Sequence, residues 1–164
     1  MEVLRNKRTH AASPRLPDRI EHPGAAGSAQ ERTLTELDHV RLNSMVQRHR
    51  GGRPTSLATL PIEHLLDSAD VVPSRQIGAD VVTMLSRVLV KDLQTEAQRE
   101  LTLCYPADAD ASVGFVSVLS PMGWSLLGQC AGATVIWPTP AGGTLAAEIL
   151  GVQFQPESSG EFTL

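Results

Sequence analysis

GFVSVLSPMGWSLLG, residues 114–128, is the stretch on which the fold turns. Phe115 to Leu119 alternates apolar and polar side chains, the period of a half-buried strand. Ser120-Pro121 then stops the run, and a short apolar segment with Trp124, Leu126 and Leu127 follows before Gly128. Ser is a good helix N-cap, Pro fits the first helical position, and Gly suits the residue after the last turn. The segment is expected to be a strand feeding a short helix at the centre of a C-terminal domain.

Strand candidates lie on both sides of it. Val81 to Val90 is β-branched and long, and a polar turn from Asp92 to Gln98 separates it from the alternating run Arg99 to Tyr105, which Pro106 closes. Downstream, Thr134 to Trp137 and Thr144 to Phe154 flank Pro138-Thr139-Pro140-Ala141-Gly142-Gly143, a hairpin turn by composition. Five strands and one helix predict a small α+β domain over 79–164 in which a mostly antiparallel sheet covers the helix.

Ahead of it, 33–48 reads as a helix capped by Thr33 or Thr35, with Glu36 and Asp38 at its positive end. Leu34, Leu37, Leu42 and Met45 share a face that Val40 and Val46 widen. After the turn residues His49-Arg50-Gly51-Gly52-Arg53-Pro54, a second helix is expected from Thr59 to Val71, with Ile62, Leu65, Leu66 and Ala69 on one side. The pair reads as a short antiparallel helical hairpin over 33–72, projecting roughly 20–25 Å. Residues 1–32 carry Pro14, Pro17, Pro23, Gly24 and Gly27 with no helical or strand period and read as a disordered tail.

Charge is unevenly spread. The formal net charge is -4, but 1–32 balances at +2, 33–75 at zero and 76–164 at -6. The C-terminal domain should therefore not seek phosphate. No apolar run approaches the length of a membrane span and no signal peptide is seen, so a cytoplasmic protein with no membrane partner is expected.

Catalysis finds little foothold. Residues 76–164 contain no histidine, which removes the commonest general base, and no Ser-His-Asp or Cys-His arrangement is visible there. Cys104 and Cys130 have no metal-ligand spacing and read as buried free thiols. Asp108 and Asp110 read as a solvated turn, and Gly142-Gly143 lacks the strand-to-helix setting of a phosphate loop. The expectation is a non-enzyme with no cofactor, no bound metal and no small-molecule substrate.

DVVTMLSRV at 80–88, LCYP at 103–106, VSVLSPMGWSLLG at 116–128, IWPTPAGG at 136–143 and VQFQPE at 152–157, taken as an ordered set, resemble the regulator of nucleoside diphosphate kinase (Rnk) family, a branch of the Gre transcription-factor superfamily. The resemblance implies an FKBP-like C-terminal domain behind a coiled-coil finger, docked at the secondary channel of bacterial RNA polymerase. Gre fingers carry acidic tips that hold a catalytic Mg²⁺ for transcript cleavage. Here the finger is shorter, and its tip holds Arg48, His49, Arg50 and Arg53 with no carboxylate between Asp38 and Glu63. Cationic side chains oppose a divalent cation, so cleavage is not expected.

The resemblance further implies that the loop Leu119-Ser120-Pro121-Met122, with Trp124 behind it, meets the rim helices of the polymerase largest subunit. Leu119 stands where Gre factors often place an acid. Helix capping alone accounts for Ser120-Pro121, and core packing accounts for Trp124, Trp137, Met84 and Met122. The basic tip is either a solvated turn or a contact for polymerase acids or for nucleic-acid phosphates inside the polymerase complex. Two other functions follow from the resemblance: direct contact with nucleoside diphosphate kinase, and peptidyl-prolyl isomerase activity. The second needs an aromatic-lined pocket, which one Tyr and three Phe argue against.

Overall fold

A computed structural model describes residues 31–50 and 60–161. The elements run β1 (Thr33–Thr35), α1 (Glu36–Arg50), α2 (Leu60–Ser68), β2 (Asp70–Val72), β3 (Arg87–Asp92), β4 (Gln98–Cys104), β5 (Phe115–Ser117), α3 (Pro121–Leu126), β6 (Thr134–Pro138) and β7 (Thr144–Phe154). A helical N-terminal part thus precedes an α+β unit with a five-stranded sheet. Residues 51–59, which include the tip residue Arg53 and the expected start of the second helix at Thr59, lie outside the described residues, as do the expected tail from 1 to 30 and residues 162–164.

The N-terminal part departs from a plain pair of helices at both ends. Thr33 to Thr35 form a strand that pairs in parallel with Asp70 to Val72, so neither Thr33 nor Val71 is helical. The cap is Thr35, whose Oγ1 accepts from the Asp38 amide at 3.0 Å. Helical periodicity does not see the strands, because three residues are too few to show a period. On α1, Leu42, Met45 and Val46 are buried with Asp38, while Val40 is 61% exposed and does not belong to the buried face. Ile62, Leu65 and Leu66 of α2 complete this part of the core. Near the ends of the two helices, a His39 ring nitrogen lies 3.1 Å from the Leu66 carbonyl.

The large sheet has the order β5-β4-β3-β7-β6, with β5 parallel to β4 and every other pairing antiparallel. The segment expected at the domain's centre therefore supplies an edge strand. Register shifts between Arg87 and Val88 and between Leu89 and Val90 curl the sheet. Its inner face carries Val88, Val90, Leu101, Leu103, Val135, Trp137, Ala147 and Ile149, and Leu126 of α3 closes over them. All five strands expected from the sequence have counterparts, but Val81 to Ser86 is not strand.

That half of the Val81–Val90 run turns instead. Leu85 takes a left-handed φ of 62°. Thr83 and Ser86, both fully buried, satisfy each other: the Thr83 amide donates to Ser86 Oγ at 3.1 Å, and the two hydroxyls lie 2.9 Å apart. Val82 bonds to the α3 exit, donating to Gln129 at 2.8 Å and accepting from Gly128 at 2.8 Å. β-Branched composition favours a strand, and tertiary contacts override it.

Arg32, the last residue of the expected tail, is tied down by hydrogen bonds. The Arg32 guanidinium reaches the C-terminal end of α3, where Nη1 lies 2.8, 3.2 and 2.8 Å from the carbonyl oxygens of Trp124, Ser125 and Leu127. The Thr33 amide donates to Gly128 O at 3.2 Å. Gly128 has a φ of +74°, and a Cβ there would sit 3.1 Å from both Arg32 Cβ and the Thr33 carbonyl. The strand that opens the helical part is thereby held against the sheet domain.

Candidate functional site

The junction from β5 to α3 is built by hydrogen bonds that leave it little freedom. Ser120 Oγ accepts from the Gly123 amide at 3.0 Å and donates to the Ser117 carbonyl at 2.7 Å. The Leu119 amide donates to Ser117 Oγ at 3.2 Å, and the Trp124 amide to the Ser120 carbonyl at 3.0 Å. Pro121 occupies the first turn of the helix. Only glycine fits at 123, since a Cβ would stand 2.0 Å from the Ser117 carbonyl oxygen.

This junction presents Pro121 as exposed and Leu119, Ser120, Met122 and Trp124 as half-buried. Leu119, Met122 and Trp124 pack against the core while keeping surface, and Trp137 is core outright. Capping explains Ser120 in full. A rigid, partly apolar knob is what remains available to a partner.

The basic cluster lies on another element. Arg48 and His49 are exposed on the last described turns of α1, with His49 Nδ1 lying 3.0 Å from the Met45 carbonyl. Nothing is described of the Arg50 side chain or of Arg53. A groove of about 920 Å³ runs along α1 from Val40 to His49 and is closed on the far side by Tyr105, Pro106 and Ala107. None of Leu119 to Trp124 lines it. Of the expected tip residues, the described Arg48 and His49 thus line a groove in which the Leu119–Trp124 loop takes no part.

Burial and charge meet at a place that the sequence reading missed. Asp38, 4% exposed, accepts from the Met84 amide at 3.0 Å and so ties α1 to the Thr83–Ser86 turn. Thr83 Oγ1 donates to Glu157 Oε2 at 2.8 Å, placing a second carboxylate by the same turn. Loss of hydration pushes the Asp38 carboxyl up to about 6; Glu157 adds to this, while the Met84 and Thr35 hydrogen bonds and Arg41 oppose it. The signal was present in the spacing of Leu34, Asp38, Leu42 and Met45, which puts an acid in an otherwise apolar face.

Cys104 is buried, as expected, but Cys130 is exposed beside its bridge to Val81. Burial pushes both thiols up, helped by Asp108 at Cys104 and by Asp80 at Cys130, so neither is an activated nucleophile at neutral pH. Asp110 is exposed and caps the turn from Ala111 to Val113 through the Ser112 amide at 3.0 Å. Among the described residues no three His, Cys, Asp or Glu stand together as metal ligands, and no helix is long and apolar enough to cross a membrane.

Comparison with known proteins agrees with this architecture. The family model for the C-terminal part of transcription elongation factor GreA/GreB matches residues 77–154. The regulator of nucleoside diphosphate kinase of Escherichia coli K12 is 33% identical over 135 residues, covering 80% of this chain and 95% of that protein. The transcription elongation factor GreA of Rhodopseudomonas palustris TIE-1 is 30% identical over 153 residues, covering 93% of this chain and 92% of that one. Among solved structures, a prokaryotic transcription elongation factor GreA/GreB from Nitrosomonas europaea superposes with a TM-score of 0.62 at 32% identity, covering 76% of this chain and 98% of that one.

Proposed function

Because the chain belongs to the GreA/GreB transcription elongation factor family, together with the regulators of nucleoside diphosphate kinase, we propose that it binds bacterial RNA polymerase at the secondary channel and modulates elongation without cutting the transcript. In this reading the sheet unit is an FKBP-like platform that docks on the rim helices of the largest subunit, with Leu119, Ser120, Pro121, Met122 and Trp124 as its contact. α1 and α2 are the arms of a short antiparallel finger whose Arg48, His49, Arg50 and Arg53 point into the channel mouth.

The observation that carries the reading is charge. Arg48 and His49 are exposed in the last turn of α1, and no carboxylate occurs between Asp38 and Glu63. A cleavage factor must bring oxygen ligands to a divalent ion, and this finger would bring cations. Occupying the channel would exclude longer-fingered relatives without reproducing their chemistry. The platform is suited to docking because its loop is pre-ordered, so little conformational entropy is lost on binding.

Core polymerase pull-down and competition test this. Retention of the chain, displacement of a GreA factor from polymerase and no cleavage of a backtracked transcript are expected. Absence of both binding and displacement overturns the proposal. The name of the Escherichia coli relative keeps a second reading, direct contact with nucleoside diphosphate kinase. Retention of that enzyme instead of polymerase in the same pull-down would select it.

A further inference from the structure

We propose that the groove between α1 and the Tyr105–Ala107 turn binds an acidic amphipathic helix of the polymerase, a contact separate from the Ser120-Pro121 loop that continues from the finger-tip residues Arg48 and His49 along α1. This rests on the polymerase-binding reading above and assigns that partner a second point of attachment.

The shape comes first. Val40, Arg41, Ser44, Met45, Arg48 and His49 recur at the three- and four-residue spacing of one helix stripe and line a single groove of about 920 Å³. Nine residues of rise make the trough about 14 Å long, the length of two to three turns of a second helix laid along it. An elongated trough along a helix suits a peptide seated by side chains at every third and fourth position.

The floor is apolar. Val40 is 61% exposed at the edge of the buried face of α1, whose Met45 also borders the groove, and Pro106 and Ala107 complete the lining. Leaving a valine in water on an ordered helix gains nothing for folding, and burial against a partner's leucine or phenylalanine would recover its transfer free energy. The rim is cationic. Arg48 is exposed at one end, Arg41 lies further along the stripe, and among the described residues no carboxylate lines the groove.

Floor and rim together choose among occupants. Arginines alone would suit a nucleic acid as well, but the apolar side chains of Val40, Pro106 and Ala107 offer phosphate nothing. An acidic helix satisfies both features at once: its apolar side chains enter over Val40 and Pro106, and its carboxylates meet Arg48. The groove's cations, confined to α1, give such a helix one orientation.

The experiment uses the full chain and core polymerase, with affinity measured by anisotropy on a fluorescently labelled chain. Val40→Glu, Ala107→Asp and Arg48→Glu should each weaken binding tenfold or more. The first two alter exposed positions, so their melting temperatures should stay within a degree or two of the parent. A photo-crosslinking benzoylphenylalanine at Ser44 should attach to an acidic helical segment of a polymerase subunit. Parent binding that the three variants retain within twofold overturns the groove and leaves the polymerase reading standing. A crosslink to nucleic acid, or to a segment without acids, does the same. Failure of the parent chain to bind polymerase overturns both.

Discussion

Replacing Asp38 with Asn should make the protein more stable at neutral pH. The carboxyl is 4% exposed and accepts from the Met84 amide at 3.0 Å. Its pKa rises from the ordinary 3.8 to about 6, because lost hydration outweighs the Met84 and Thr35 hydrogen bonds and the nearby Arg41. Folded protein therefore holds this proton up to about pH 6, while the unfolded chain releases it near 3.8. Folding takes up a proton between those values, so the stability present below pH 3.8 is lost as pH rises through about 6. The gap corresponds to about 3 kcal/mol at pH 7 and above.

Asn keeps an oxygen for the Met84 amide and has no charge to bury. Urea unfolding of parent and Asp38→Asn from pH 4 to 8 should give a difference near zero at pH 4 that grows to about 2–3 kcal/mol in favour of Asn by pH 7. Taking the difference cancels the titrating groups that do not interact with Asp38. Asp38→Ala separates the two contributions, because it leaves a buried backbone donor unpaired and should cost about 1–3 kcal/mol at pH 4, where no charge is at stake. A parent that gains stability over Asp38→Asn between pH 4 and 7 would refute the reasoning, since attraction and hydrogen bonding would then outweigh desolvation.

Other outcomes follow from single contacts. Gly123→Ala drives a methyl to 2.0 Å from a backbone carbonyl that cannot swing away, and should cost about 3 kcal/mol or more with loss of polymerase retention, read by thermal melting and pull-down. Arg32→Ala leaves three carbonyls at the end of α3 without their cation and should cost about 1.5–3 kcal/mol by urea unfolding. Arg48→Glu, at an exposed position, should leave the melting temperature unchanged while weakening the transcriptional effect, measured by pause duration on a defined template. Iodoacetamide should label Cys130 in native protein at alkaline pH and reach Cys104 only on unfolding, as peptide mapping would show.

What could be read beforehand divides along the range of the interactions involved. Ser120, Pro121 and Gly128 announced the ends of α3, because caps and left-handed turns are properties of a few adjacent residues. The five strands and the turn before Thr144 were legible for the same reason. Val40 was misplaced because a helical stripe about 140° wide has ill-defined edges, and only the partner decides which edge residue is covered. Cys130 was misplaced because small-hydrophobe character says nothing of where a chain leaves the core.

By itself the sequence determined the α+β class, the helix of the Ser-Pro junction, the absence of acids between Asp38 and Glu63 and the family to which the ordered motifs belong; these rest on neighbouring residues and on composition. Only the tertiary structure decided that β5 is an edge strand, that Val81 to Ser86 turns, that Arg32 reaches across 95 positions to Leu127, and that Asp38 is buried against Met84. Each of those depends on which distant groups meet. Burial and unpaired backbone groups impose their costs after the chain has closed, so no local pattern can anticipate them.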